Sequence, residues 1–477
     1  MKTRFKPVAL LAALALAGCA AIAPDTQPLH QRDLAGAELS AGIKLAHEGW
    51  PEARWWTSYH DAQLDALIEQ ALAGGPSLEV AAAHIGTARA SLSRSLADLG
   101  LESSLYANAN RQRYSGTGLF PEPIGGAWFT TETLRLDLRY NFDWWGKNRA
   151  QVAAAVGELN AGRAAYAEAE QALAASIAQS YFRLQGAWAR LANSEQLAAT
   201  QSALAQDQAR RIAHGLDDAD AQRAVQAELS LIRKQQAQLK ADIEHEREAL
   251  RALAGADNRA LAELQPAALA PAPHRLPARL GIELLARRPD LQAARWKLEA
   301  SLGKIQAAEA AFYPDLNLTG SIGLDTIKLD KLLQAASRTA YVGPTLTLPL
   351  FDSRRLDAQL DGARTNRNER VAEYNQTIVE AVREVAQGGA QLQGIEQQIA
   401  QQAAATAAAR AQLAAAQARL EHGLANHSQL LNARLALLRQ QDADLYLQQV
   451  QLLAEVALTR ALGGGYHEQA PLATASK

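Results

Sequence analysis

The sequence predicts a mainly α-helical, tandem-duplicated chain whose β-strands cross a membrane only when pooled with those of other copies. Three observations predict this. The chain is written twice at an offset of about 210 residues, each half carries long seven-residue apolar repeats, and each half carries two short segments of alternating apolar and polar residues.

The duplication is read from short matches in one order. Arg-Ile-Ala-His-Gly-Leu at 211–216 returns as Arg-Leu-Glu-His-Gly-Leu at 419–424, and Leu-Arg-Ala-Leu-Ala-Gly at 250–255 returns as Thr-Arg-Ala-Leu-Gly-Gly at 459–464. Phe142-Asp143 matches Phe351-Asp352, and Pro76-Ser77-Leu78 opens a helical stretch as Pro289-Asp290-Leu291 does. The boundaries expected are a signal segment 1–18, an N-terminal extension 19–76, a first repeat 77–255, a Pro-rich linker 256–288, a second repeat 289–464 and a tail 465–477.

At the start, Lys2, Arg4 and Lys6 precede an apolar run from Val8 to Ala17 that is too short to span a bilayer. Leu16-Ala17-Gly18-Cys19 follows, and Cys19 is the single cysteine of 477 residues. A lone cysteine forms no internal disulfide and no multi-thiolate metal site. The context resembles a bacterial lipoprotein signal, which implies cleavage before Cys19 and a covalent lipid on its thiol. Ala20 follows; the usual mark for inner-membrane retention is an Asp there, so the resemblance points outward.

Within each repeat a helix of about 25 residues (77–100; 290–312) leads into two strand segments, then a very long helix (147–214; 353–422) and a return helix (219–254; 427–462). At 1.5 Å per residue the long helices reach roughly 100 Å and need a partner along their whole length. The seven-residue rows supply one: Val371, Ile378, Val385, Leu392, Ile399, Thr406, Leu413 and Leu420 in the second repeat, and Ile177, Leu184, Leu191, Ala198, Ala205 and Ile212 in the first. Leu229, Gln236, Ile243 and Leu250, and Leu431, Leu438, Leu445 and Leu452, line the return helices. The turns are expected at Gly215 and Gly423, each just past a helix end, where a left-handed backbone favours glycine.

The strand segments are expected at 103–114, 134–142, 315–324 and 342–350. In the second, Leu134, Leu136 and Leu138 share one face while Arg135, Asp137 and Arg139 share the other. Alternation alone fits either a half-buried soluble sheet or a barrel wall. The leader and the lack of any later run of 18 apolar residues favour the wall. Lipid tolerates no open sheet edge, and four strands are too few for a barrel, so identical chains must pool their edges in a ring. The leucine row then faces lipid and the charged row the lumen or its rim. The connecting loops 115–128 and 325–340 are expected outside the cell.

Charge and composition remove other classes. Net charge is −2, from 48 Lys+Arg against 50 Asp+Glu, which is no nucleic-acid surface. The ten histidines form no HExxH motif, there is no CxxC and no phosphate-binding glycine loop. His422 and His427 flank a turn but do not by themselves make a metal site. Trp55, Trp56, Trp144 and Trp145 are expected as packing or interface aromatics, and Asp143 as a helix cap. No catalytic constellation, metal or cofactor is expected beyond the lipid on Cys19, so the chain is not expected to be an enzyme.

The plan of helix, two strands and long helical hairpin, twice over, resembles the TolC/OprM outer-membrane factors. The segments 54–72, 286–295 (Ala-Arg-Arg-Pro-Asp-Leu-Gln-Ala-Ala-Arg), 310–324 and 343–356 are similar to the lipidated, NodT-like branch. The resemblance implies a homotrimer with a 12-stranded outer-membrane β-barrel continuous with a periplasmic coiled-coil α-barrel. It implies a passive exit duct for drugs or other toxic small molecules, served by a periplasmic adaptor and an inner-membrane transporter. A periplasmic adaptor, or a structural lipoprotein without a pore, is the alternative; an adaptor usually has one hairpin, not two. The family often closes its periplasmic tip with carboxylates just after the second turn's glycine. Here those positions are Gln429 and Asn432, while the first repeat carries Asp217, Asp218 and Asp220 after Gly215. These five residues are the expected gate, with carboxylates that bias entry toward cations. Crowding of like charges is expected to raise some of their pKa values and make closure depend on pH.

Overall fold

A computed structural model describes residues 22–32, 49–255, 261, 263–269, 284, 286–349 and 351–467. Cys19 and the signal segment, most of the expected linker and the end of the tail lie outside the described residues.

The chain begins its ordered body with a 3₁₀ turn, Trp55–Tyr59, and helix α1, Ala62–Gly74. The Asp61 side chain caps α1 by accepting from the Gln63 and Leu64 amides. Pro76 then opens α2, Pro76–Ala97, where its missing N–H costs nothing. Strands β1, Leu101–Arg113, and β2, Trp128–Asn141, follow. Helix α3, Lys147–Ala213, has 67 residues and returns through α4, Ala219–Ala254. The second repeat runs α5 (Pro289–Ala310), β3 (Asp315–Thr326), β4 (Arg338–Thr347), α6 (Ser353–Glu421, 69 residues) and α7 (His427–Ala461). No helix among the described residues is long and apolar enough to cross a membrane.

The four strands form one antiparallel sheet in the order β1-β2-β3-β4, so the two repeats meet at β2 and β3. β2 starts at Trp128, six residues before the leucine row, because Phe129, Thr130, Thr131 and Thr133 keep pairing with β1. The loops are therefore 114–127, as long as the expected 115–128, and 327–337, shorter than the expected 325–340. β4 ends at Thr347 rather than running to 350, where Pro349 has no amide to extend the ladder.

The helices find their partners within the chain. Leu173, Ile177, Tyr181 and Leu184 of α3 pack with Trp55, Trp56, Tyr59, Leu64 and Ile68, and with Ile243 and Leu250 of α4. Val385, Leu392 and Ile378 of α6 pack with Leu458 and Leu462 at the end of α7. Toward the turns Leu197, Leu204 and Ile232 meet Leu431, Leu435 and Leu438, which joins the first hairpin to the second. The buried row of α3 thus moves one residue off the predicted Ala198 and Ala205, onto Leu197 and Leu204. The leucines bury more apolar area than alanines would. Where α3 crosses α5, Gly157 and Gly303 let the backbones touch: a Cβ on Gly303 would stand 2.8 Å from the Ala150 oxygen.

At the middle of the molecule Arg288 is buried. It bonds Asp290 at 2.7 and 3.0 Å, Glu384 at 2.9 Å and the Ala461 carbonyl at 2.8 Å. Burial opposes its charge, but the Asp290 and Glu384 carboxylates outweigh burial and hold its pKa above the ordinary arginine value.

Candidate functional site

The sheet separates two chemistries. Directly paired residues of an antiparallel sheet point to one side. The register puts Leu105, Leu136, Ile322 and Ala340 in one row, and Leu138, Gly320 and Val342 in another on the same side. Leu101, Tyr140 and Leu318 continue it. The opposite side carries Tyr106, Arg135, Asp137, Ser321, Arg139 and Thr319. There Arg135 bonds Asp137 at 2.9 Å and stacks over the Tyr106 ring at 4.6 Å. Asn141 and Asn317 donate to Asp315 at 3.2 and 3.0 Å, and the Thr319 and Thr345 hydroxyls meet at 3.1 Å.

The aromatics predicted as packing or interface residues divide between the two roles, with Trp144 and Trp145 at the periplasmic end of the sheet. Trp144 and Trp145 are exposed; Trp145 stacks on Tyr313 at 4.5 Å and donates to the Pro314 carbonyl at 2.8 Å. Trp55 and Trp56 are core residues, the packing role expected of them. Asp143 caps α3 as expected, accepting from the Asn148 and Arg149 amides at 2.8 and 2.9 Å.

The two turns are copies in conformation and not in charge. Gly215 and Gly423 both sit at φ 68°, with the Leu216 amide on the Arg211 carbonyl and the Leu424 amide on the Arg419 carbonyl. Leu216 and Leu424 are 65% and 76% exposed. The five expected gate residues all have local partners. Asp218 is the N-cap of α4 and accepts from the Ala221 amide, while Asp220 pairs with Arg223. The Asp217 carboxyl lies below the usual carboxylate range, held there first by the nearby Gln208 side chain, then by the Asp218 amide and Arg211. Within one chain, the expected upward shift from crowded aspartates is thus reversed at Asp217. Gln429 completes a capping box with Asn426, and the Asn432 amide donates to the Ser428 carbonyl at 2.9 Å. His422 and His427 meet no third ligand, and no metal-holding cluster of three exists among the described residues.

A family model described as "Outer membrane efflux protein" matches residues 67–256 and again 280–464. The chain belongs to the outer membrane efflux protein family. Among its relatives, the multidrug resistance outer membrane protein MdtP of Escherichia coli K12 is 36% identical over 94% of both chains. The putative multidrug resistance outer membrane protein MdtQ of Shigella flexneri is 35% identical over 95% of this chain and 96% of its own. Of solved structures, the outer membrane protein VceC of Vibrio cholerae is 32% identical with a TM-score of 0.77, covering 87% of this chain and all of that one. The outer-membrane channel OprN gives a TM-score of 0.82 at 26% identity, over 93% of this chain and 99% of that one. In the wall of a membrane-spanning β-barrel an apolar side faces lipid and a polar side faces the lumen. The protein is an outer-membrane exit duct whose helices extend into the periplasm.

Sequence reasoning missed one feature of this site. Residues 22–32 run along the outside of α6 in an extended strap. Asn368 accepts from the Leu29 amide at 3.1 Å and donates to the Gln27 carbonyl at 3.0 Å. Asn375 does the same with Arg32 and His30, at 2.7 and 2.9 Å. Arg367 pairs with Asp25 at 2.8 Å, and Ile22 packs near Phe312, Leu356 and Leu360. Two asparagines seven apart on one helix face were the available signal.

Proposed function

We propose that three copies of this chain pool their strands into a 12-stranded barrel and their long helices into one periplasmic tunnel. The observation that carries this is the open sheet: β1 and β4 lack a partner on their outer edges among the described residues, yet the leucine face belongs in lipid. Ring closure of identical chains pairs both edges.

The duct conducts passively. It uses no cofactor and catalyses nothing itself; the energy comes from an inner-membrane transporter. The exposed Leu216 and Leu424, presented by the same turn conformation in both repeats, are the contact offered to a periplasmic adaptor. The names of the relatives support drugs and other small toxic compounds as cargo. Cys19 carries the lipid. Three residues on, Ile22 lies beside Trp145 and Tyr313 at the periplasmic membrane surface, which supports insertion of the acyl chains into the inner leaflet. The domain boundaries 77–255 and 289–464 are proposed as the two units of duplication. The gate residues are proposed as a rim whose carboxylates are tied locally, rather than as a titrating lock.

Purified protein in planar bilayers tests the duct, together with drug susceptibility of a deletion strain. Conductance steps and restored resistance are expected; a non-conducting protein overturns the pore. Mass spectrometry of the mature N-terminus tests Cys19, and an unmodified thiol overturns the anchor.

A further inference from the structure

We propose that the lipid face of the sheet carries, at its extracellular end, an arginine belt that binds phosphorylated sugar headgroups of outer-leaflet lipids. The proposal rests on the barrel reading above for its geometry. The register assigns the residues. On the leucine side of the four strands stand four charged side chains: Arg111 and Arg113 on β1, Glu132 on β2 and Arg338 on β4. All four lie at one end. Counted from the periplasmic side, Arg338 is the tenth residue of β4 from Thr347 and Glu132 the tenth of β2 from Asn141. Arg111 is the eleventh of β1 from Leu101. A tilted strand crosses the hydrocarbon in about 9–11 residues, so these side chains reach the far headgroup layer. The periplasmic end of the same side has no charge; Leu101, Tyr140, Leu318 and Leu346 stand there.

Position at the rim explains why charge is tolerated. An arginine on the lipid face costs about 2–4 kcal/mol at the midplane and roughly 0–1 near an interface. It does not explain why arginine is present. Arginine brings a planar fork of donors matched to phosphate oxygens. The Arg111 guanidinium lies 5.7 Å over the exposed Trp128 ring on the same side, which orients it at the interface. Arg113 donates its Nε to the Gly126 carbonyl at 3.1 Å, which ties its side chain to the rim loop.

Glu132 supplies the second observation. It is the only carboxylate on this side of the strands, is 6% exposed, and its Oε2 accepts no hydrogen bond among the described residues. A buried acceptor without a donor is costly. Its register neighbours are Ala109 and Thr326, so no arginine is directly paired to it. A headgroup that carries hydroxyl or amide donors beside its phosphates meets both sets: phosphates on the arginines and, with the Glu132 side chain turned outward, a donor on its carboxylate. That chemistry is a phosphorylated glycolipid, and a simple phosphate diester without a sugar meets only half of it.

Native mass spectrometry of the delipidated, assembled complex tests this. The probes are a bisphosphorylated diglucosamine glycolipid, the same glycolipid stripped of phosphate, and inorganic phosphate as competitor. The wild type is expected to retain the phosphorylated lipid about tenfold or more better than the stripped one, a difference of about 1.4 kcal/mol. Arg111→Gln with Arg338→Gln should lose that preference, while the lumen-side Arg135→Gln keeps it. Equal retention of both lipids by the wild type, or undiminished preference in the double variant, overturns the belt. Competition by inorganic phosphate alone would reduce it to a phosphate site. If the double variant does not assemble, the wild-type comparison still decides. A wild type of the wrong subunit number shows in its mass and counts against the ring, not the headgroup.

Discussion

The helical body and the sheet of this chain are built from equally regular patterns and end in opposite states. The seven-residue rows of α3 and α6 are buried inside the single chain in the part nearer the sheet, with Ile177, Leu184, Val385 and Leu392 fully covered. The period-two rows of β1 and β4 stay uncovered: Leu101, Leu105, Val342 and Leu346 are all exposed. A helical hairpin satisfies its backbone within itself and needs only a neighbouring hairpin for its apolar stripe, which duplication supplies. A four-stranded sheet satisfies neither its edges nor its apolar side alone. The difference teaches that the helical body of this chain folds on itself while the smaller sheet is completed by lipid and by its own copies.

That contrast can be broken most severely in the sheet. Leu136→Arg should nearly abolish heat-labile assembled species on gels, because each chain then carries a misplaced charge worth about 2–4 kcal/mol at the midplane. Arg135→Leu, one residue along, should reduce assembly far less. Equal losses would mean the two sides are not lipid and lumen. In the body, Arg288→Ala should lower stability by about 1–3 kcal/mol, since the Ala461 carbonyl and Asp290 lose their donor while Glu384, 43% exposed, is met by water. Urea denaturation measures it. Gly303→Val should cost roughly 1–3 kcal/mol, read as a lower melting temperature, because the added atoms meet the α3 backbone near Ala150 and Ala154.

The smallest effect is expected at the first turn. The lowered pKa of Asp217 means its bonded form is favoured above the unfolded pKa and is lost only as pH falls through the still lower folded value. Single-channel conductance should therefore hold constant from about pH 7 to 5 and change only below about pH 4, the ordinary Asp range. Replacing Asp217, Asp218 and Asp220 by Asn should leave stability nearly unchanged, as Asn caps α4 as well as Asp does. Loss of cation preference in low-salt recordings would show that they bias the entrance; unchanged selectivity would leave a solvated turn.

Much of this was legible in the residues. Duplication, the turn glycines and the two faces of the strands follow from local rules that no tertiary contact overrides: Gly215 and Gly423 take the same left-handed turn. Three things were not legible. The strap depends on Asn368 and Asn375 meeting a segment more than 300 residues earlier, which no local pattern encodes. The buried row of α3 shifts to Leu197 and Leu204 because the second hairpin's Leu431 and Leu438 claim that face. The gate aspartates read as a crowded rim in sequence, yet each finds a local donor in three dimensions.

The most direct measurement joins the two open edges. Cysteines introduced at Leu105 on β1 and Val342 on β4, both on the lipid side, can be bridged with a short bifunctional thiol reagent in membranes. Cys19 is no competitor once lipidated. If strands of identical chains close one barrel, a ladder ending at covalent trimers appears, and either cysteine alone gives none. Monomer-only products, with both thiols shown to be modified, would contradict the shared barrel.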